Sequence, residues 1–226
     1  MPQTTSIRRL CFAASAGIIA VCLATVVDLA GSVARLMMHW NVLTIDEMRK
    51  VTGLTLPPVA SLLLVLASGV LFLSWLGRAR RNVADLPGAR PTYSPGWTVG
   101  AWFIPLANLI LPALVIADIA SASAVPGRFP RRGLLAVVWG WWACFTLHTV
   151  GVYVTALLPV TVDDRVLTVL IALFDVLYLA TGAFAILMME RIGAAQAAGF
   201  ENRERRPDPA DFPAFTVDSL APAAQP

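Results

Sequence analysis

Long apolar stretches, separated by short stretches that carry arginine, dominate the 226-residue chain. Four of these stretches contain no proline, and each is long enough to cross a bilayer as a helix, which takes about 20 residues. They are residues 10–30, 59–77, 134–158 and 166–189. The pattern predicts an all-α fold, an integral membrane bundle of four transmembrane helices.

A fifth apolar stretch, residues 97–119, is long enough to cross a membrane but contains Pro105 and Pro112. A proline inside a helix removes a backbone donor and clashes with the preceding turn, at a cost of about 3 kcal/mol or more. The two prolines therefore predict a helix break within residues 104–112. Because proline is favourable in the first turn of a helix, a second half-helix is expected over residues 113–122.

The distribution of basic residues decides whether this broken segment crosses the membrane. If it crosses, ten of the 17 basic residues lie outside, against the preference of arginine and lysine for the cytoplasm. If it returns to its own side, only Arg35, Arg49, Lys50 and Arg165 lie outside. The cytoplasmic residues are then Arg8, Arg9, Arg78, Arg80, Arg81, Arg90, Arg128, Arg131, Arg132, Arg191, Arg203, Arg205 and Arg206.

This count predicts a plasma-membrane protein with cytoplasmic N and C termini and a re-entrant segment between spans 2 and 3. Non-helical backbone is tolerated at membrane depth only where protein encloses it or a wet cavity adjoins it. We therefore expect the four spans to enclose the segment. A position at the membrane surface is the alternative that the sequence leaves open.

The first span reads as a signal anchor. Arg8 and Arg9 precede an apolar run of about 20 residues, whereas the apolar region of a cleaved signal peptide has about 7–15. At the other end, residues 199–226 carry five prolines among small and charged residues. Such a composition cannot bury a core. We therefore divide the chain into a membrane domain, 1–198, and a disordered cytoplasmic tail, 199–226.

A short helix is expected between the first two spans. Thr44 and Glu47 have the spacing of a capping box, and Gly53 stands where a helix C terminus favours a left-handed residue. We expect this helix to lie on the membrane surface, because one of its sides is apolar. That side is formed by Ile45, Met48 and Val51.

Composition supports the membrane class and excludes several others. The chain is 58% hydrophobic and 14% charged, with a mean hydropathy of +0.72, whereas soluble domains carry about 25% charged residues. The net charge of +3 belongs to arginines beside the spans, so nucleic acid is not an expected partner. Cys11, Cys22 and Cys144 lie in apolar stretches, which excludes a disulfide framework. No cofactor or metal site is indicated.

Ionisable residues within spans are candidates for function. His148 and Asp175 lie on consecutive antiparallel spans, both about 14 Å from the outer ends at 1.5 Å per residue. Their equal depth predicts a contact, either direct or through one water, which would be either a helix–helix clamp or a proton relay. Asp28, Trp139, Trp141 and Trp142 are interpreted as residues of the membrane interface.

Asn108 lies between the two prolines of the broken segment. Its amide could hydrogen-bond the backbone groups that the break frees. Alternatively, the N terminus of the following half-helix could bind a polar substrate, as in transporters with broken helices.

The most specific part of the chain lies in residues 78–123. It reads Arg81-Asn82, then Ser94-Pro95-Gly96-Trp97, Trp102-Phe103-Ile104-Pro105, Asn108, Pro112, Asp118 and Ala122-Ser123. This pattern resembles a bacterial membrane family, domain of unknown function 4328 (DUF4328), over roughly residues 60–190. Ala120 and Ser121 replace the aromatic and basic residues that tend to follow the acidic position in that family. The resemblance implies a multi-span membrane protein and no established activity.

No catalytic triad, carboxylate pair or phosphate-binding loop occurs in the aqueous segments, so an enzyme is not expected, although an intramembrane enzyme is not excluded. We expect an interaction or assembly component that lies in the lipid bilayer and binds a protein partner or a second copy. The alternative is a small transporter or proton-linked permease built around Asn108. It requires Asn108, His148 and Asp175 to meet at one wet cavity.

Overall fold

The computed structural model describes residues 2–104, 107–158 and 162–205. Within these ranges the chain is helical, with one 3-10 turn at Ala107–Leu109. This confirms the all-α prediction. The helices are α1 (Pro2–His39), α2 (Ile45–Thr52), α3 (Pro58–Ala84), α4 (Trp97–Gly100), α5 (Leu111–Ala122), α6 (Arg131–Leu157) and α7 (Asp164–Glu204).

Four of the described helices, α1, α3, α6 and α7, are long and apolar enough to cross a membrane. They correspond to the four predicted spans, although α1 and α7 extend well beyond the apolar stretches. The chain is therefore a multi-span membrane protein. The four helices pack in the order α3, α1, α7, α6, and α5 packs against α6 and α3. With 12 residues, α5 is about 18 Å long, too short to cross.

Two glycines permit close approaches between these helices. A Cβ added at Gly182 of α7 would overlap the Cys22 sulfur of α1. A Cβ added at Gly151 of α6 would overlap the Phe174 ring of α7. Small residues bring membrane helices close enough for van der Waals packing, so α7 is held between α1 and α6.

The broken segment doubles back against one side of the bundle. The Trp102 ring packs edge-on against Phe72, with 6.2 Å between centroids. Phe72 lies 12 residues, or about 18 Å, before the end of α3. The Trp142 indole N–H then donates to the Leu109 carbonyl at 3.1 Å, and α5 returns to the end where α6 begins. The Arg131 Nε–H donates there to the Ser121 hydroxyl at 3.1 Å.

The four long helices do not enclose this segment, contrary to the expectation from the sequence. They form an arc, and the segment fills one half of the open side between α3 and α6. Phe103, Ile104, Leu109 and Ile110 are consequently exposed. Pro105, one of the two prolines that predict the break, lies outside the described residues. Pro112 lies in the first turn of α5.

Aromatic side chains fill the space between the segment and the long helices. Trp102, Trp141, Trp142 and Phe145 form edge-to-face, tilted and stacked pairs at centroid distances of 5.3–6.3 Å. Trp141 and Trp142 are only 4% and 7% exposed, so their assignment as interfacial anchors is wrong. The broken segment, and not lipid, covers the faces of α6 on which these two tryptophans lie. Trp139 is 44% exposed.

Helix α7 continues through residues 199–204, which the sequence assigned to the disordered tail. The extension is fixed by contacts with the two loops that flank the broken segment. The Arg203 guanidinium donates to the Asp85 carbonyl at 3.1 Å, and Arg128 forms an ion pair with Glu201 at 3.1 Å. The helix therefore gains partners that a polar tail would lack. Residues 206–226 of the predicted tail lie outside the described residues.

The short helix α2 has the predicted capping box. The Thr44 N–H donates to the Glu47 carboxylate at 2.9 Å, and the Glu47 N–H donates to the Thr44 hydroxyl at 3.3 Å. Hydrogen bonding from the Thr44 backbone holds the pKa of Glu47 below its usual value. Gly53, in contrast, has φ −68°, so the expected left-handed conformation is wrong. Helix α2 packs against α1, and its predicted place on the membrane surface stays a prediction.

Candidate functional site

A buried polar cluster joins α3, α5 and α7 near the C terminus of α3. The Asn82 amide donates to the Gln196 Oε1 at 3.1 Å. The Gln196 amide donates in turn to the Ala79 carbonyl at 3.0 Å and to the Ser123 hydroxyl at 3.1 Å. Asn82, Gln196 and Ser123 are each 1% exposed. Since a buried polar group without a partner is costly, these bonds fasten three separate segments to one another.

A second polar cluster holds the loop between α3 and α4. The Arg80 guanidinium donates to the Tyr93 carbonyl from Nη2 at 2.6 Å and from Nε at 3.1 Å. The Asp118 carboxylate accepts from the Tyr93 N–H at 3.2 Å and from the Thr92 N–H at 2.9 Å. Arg80 thus binds the carbonyl of Tyr93, and Asp118 binds the N–H of the same residue. The loop is fixed between α3 and α5, which places both ends of the broken segment side by side.

Helical spacing explains how α3 serves both clusters. Successive residues of an α-helix are rotated by about 100°. Ala79 and Asn82, three residues apart, therefore share the face toward α7. Arg80 lies on a different face, toward the loop. The two clusters are consequently adjacent, and the C-terminal end of α3 is the point at which α5, α7 and the loop meet.

The structure distributes the residues of the family pattern between these clusters and the aromatic core. Asn82, Asp118 and Ser123 belong to the polar clusters, and in this chain the Asp118 contacts form with Ala120 and Ser121 at the positions that depart from the family. Arg81 is exposed, and its neighbour Arg80 is the buried arginine. Trp97 is partly exposed, Trp102 lies in the aromatic core, and Pro112 is buried.

Asn108 is separate from both polar clusters. It is exposed and lies within the 3-10 turn Ala107–Leu109. Its backbone N–H donates to the Ile104 carbonyl at 2.9 Å. Among the described residues, its side chain has no hydrogen-bond partner. The amide therefore does not hydrogen-bond the backbone groups in the described part of the break, contrary to one interpretation of the sequence.

The predicted direct contact between His148 and Asp175 is wrong, because no hydrogen bond or ion pair joins the two side chains. The His148 Nδ1–H donates to the Phe174 carbonyl at 2.9 Å, and its ring stacks on Tyr178 with 4.5 Å between centroids. Asp175 faces α1 instead, where it lines a cavity of about 370 Å³ together with Asp28 and Arg35. The two residues lie at equal depth, but Asp175 lies between this cavity and a second one next to α6, and its carboxylate makes no hydrogen bond to His148.

Arg80, Tyr93 and Gln196 were not identified from the sequence. Gln196 had a usable signal, because it is a lone amide between alanines at the helical continuation of the last apolar stretch. For Arg80, the sequence carries no signal that distinguishes it from Arg78 and Arg81. Within the part of the chain that the structure describes, no group of three or more His, Cys, Asp or Glu residues could hold a metal ion.

Comparison with known protein families gives a match. The model of the family described as Domain of unknown function (DUF4328) matches residues 54–194, more than half of the chain. The match covers α3 to most of α7, and with them Arg80, Asn82, Asp118 and Ser123, but it ends two residues before Gln196. No curated protein and no solved structure shows a significant match.

Proposed function

Since the chain belongs to the DUF4328 family, a family without an assigned activity, we propose its role from its own geometry. We infer that this multi-span membrane protein is an interaction or assembly component. Its docking surface, which we call the arginine-rich face, is the end of the bundle where the two polar clusters lie. The partner is a protein with an acidic surface or a second copy of the chain.

The observation that carries this proposal is the fixed arrangement of the arginine-rich face. Two contacts connect the α7 extension to the two loops of this face. They are the hydrogen bond from Arg203 to the Asp85 carbonyl and the ion pair between Arg128 and Glu201. Charges held in fixed positions can complement a charged partner and select against others. The exposed basic residues at this end of the bundle include Arg90, Arg128, Arg131, Arg132 and Arg203.

The transporter alternative has less support, because its polar residues do not converge. Asn108 is exposed at the turn of the broken segment. His148 bonds to the backbone of α7, and Asp175 faces the cavity next to α1. A proton or solute pathway needs such groups within hydrogen-bond reach of one another or of shared water. Their separate surroundings favour an interaction role.

We also propose that the arginine-rich face is cytoplasmic, that both termini lie on that side, and that the membrane is the plasma membrane. All described basic residues except Arg35, Arg49, Lys50 and Arg165 lie on elements at this end of the bundle. Basic residues prefer the cytoplasmic side. In this orientation the broken segment enters from the cytoplasm and returns to it.

A site-specific photo-crosslinker tests the interaction role in cells. Benzoylphenylalanine at Asn202, exposed on the arginine-rich face, should give a discrete adduct, and the same probe at Leu54, exposed at the opposite end, should not. Arg132→Glu should reduce the adduct, whereas Arg165→Glu at the opposite end should not. An adduct of twice the chain mass identifies a second copy as the partner.

A flux assay with purified protein in liposomes tests the transporter alternative. We expect no proton flux above that of protein-free liposomes. A flux that Asn108→Ala abolishes, together with no adduct at Asn202, would contradict the interaction role and establish the transporter.

A further inference from the structure

An apolar cavity of about 170 Å³ lies inside the bundle, beyond the turn of the broken segment. Its walls come from α1, α3, α6 and α7, and Trp102 of the broken segment contributes to one end. Its lining is almost entirely hydrocarbon and aromatic. The residues that matter here are Cys22, Gly69, Phe72, Trp102, Phe145 and Thr181.

The cavity opens toward the lipid between α3 and α6. These two helices share few contacts, and α5 separates them only in the half of the bundle that contains the arginine-rich face. In the other half, Val65 and Gly69 of α3 line the cavity and are also exposed. A Cβ added at Gly69 would meet no atom within 4 Å. Gly69 therefore marks the opening.

We propose that this cavity binds one acyl chain of a membrane phospholipid, which enters between α3 and α6 from the leaflet opposite the arginine-rich face. The opening is continuous with the lipid-facing surfaces of two spans, so hydrocarbon chains surround it. An α-helix with its side chains is about 10 Å across and does not fit a cavity of about 170 Å³. An extended hydrocarbon chain fits it, and the rings of Phe72, Trp102 and Phe145 offer it an apolar contact surface.

This lipid site is independent of the proposed interaction role, because it lies in the other half of the bundle. Binding of a chain would fill the space that the short α5 leaves open. It would also bridge α3 and α6, which otherwise have little contact. A bound lipid is thus the component that completes the packing of the arc of long helices.

Photolabelling with a phospholipid tests the proposal. The full chain is reconstituted in nanodiscs of phosphatidylcholine that carries a diazirine in the middle of one acyl chain, irradiated, and mapped by peptide mass spectrometry. We expect adducts on the inward-facing residues Phe72 and Thr181 as well as on the lipid-facing Val70. Adducts confined to lipid-facing residues such as Val70 would overturn the proposal.

A blocked variant provides the second arm of the experiment. Gly69→Phe places a ring at the opening, where an added Cβ meets no atom within 4 Å, and Val70→Phe adds the same ring to the neighbouring exposed position. We expect Gly69→Phe to reduce the adducts on Phe72 and Thr181 several-fold and Val70→Phe to leave them unchanged. Equal adducts in the two variants would overturn the proposal. Should Gly69→Phe fail to fold, the map of the unmodified chain decides alone.

Discussion

Asn82 and Gln196 lie 114 residues apart in the chain, yet their side-chain amides meet in a 3.1 Å hydrogen bond. The bond fastens the end of α3 to the part of α7 that extends toward the arginine-rich face. Through Ser123 the same cluster includes the end of α5. The three elements that support the loops of this face are therefore held by one set of buried hydrogen bonds.

Loss of the Gln196 amide should destabilise the bundle. Gln196→Ala removes three hydrogen bonds and leaves the buried Asn82 amide without its partner, at an expected cost of about 1–3 kcal/mol. The free energy of unfolding of each variant is measured in mixed micelles. A double-mutant cycle with Asn82→Ala should show coupling of at least about 0.5 kcal/mol. The control is Asn202→Ala, which removes an exposed amide from the same helix; an equal effect of the two single variants would contradict this role.

Loss of the Asp118 carboxylate should release the loop between α3 and α4. Asp118→Ala removes the acceptor of the Thr92 and Tyr93 N–H groups, so chymotrypsin should cleave faster after Tyr93, which lies in that loop. Asp118→Asn keeps one acceptor oxygen and should have a smaller effect. Asp85→Ala, which removes an exposed carboxylate, is the control. Cleavage no faster than in this control would refute the contact.

A methyl group at Gly182 should separate α1 from α7. Gly182→Ala forces a Cβ against the Cys22 sulfur, and overpacking of this kind costs about 1–3 kcal/mol. Gly193→Ala on the same helix meets no atom within 4 Å and should be neutral or stabilising by up to about 1 kcal/mol, because alanine favours helix. Thermal unfolding in detergent compares the two. Cys22→Ala should restore the thermal stability that Gly182→Ala loses. If it does not, contact with the Cys22 sulfur is not the cause of the loss.

His148 and Asp175 should behave as independent residues. Because His148 bonds to the Phe174 carbonyl and Asp175 faces α1, His148→Ala and Asp175→Asn should be additive within about 0.3–0.5 kcal/mol. His148→Ala and Tyr178→Leu, which share a stacked pair, should instead be coupled. Coupling between His148 and Asp175 by the same unfolding assay would restore the predicted clamp.

The lengths of the apolar stretches and the position of Pro112 were sufficient to predict four spans and a short helix after the break. They were not sufficient to predict which way each side chain faces. In a membrane helix the lipid-facing and core-facing sides are both apolar, so the pattern carries little rotational information. For this reason the sequence predicted a contact of Asp175 with α6 and not with α1, and it predicted that Trp142 lies at the membrane interface. Gln196 was missed because its partners are distant in the chain.

The central claim is that the broken segment leaves and re-enters the cytoplasm at the arginine-rich face, and the sidedness of cysteine labelling tests it most directly. The three native cysteines are first replaced by serine. Single cysteines are then introduced by Ser94→Cys, before the segment, and by Arg132→Cys, after it, both at exposed positions. The control is Arg165→Cys at the opposite end of the bundle.

An impermeant maleimide added outside intact cells should label only the Arg165→Cys variant, and lysis should expose the introduced cysteines of the other two variants to the reagent. Labelling of the Ser94→Cys and Arg132→Cys variants from opposite sides of the membrane would contradict the account.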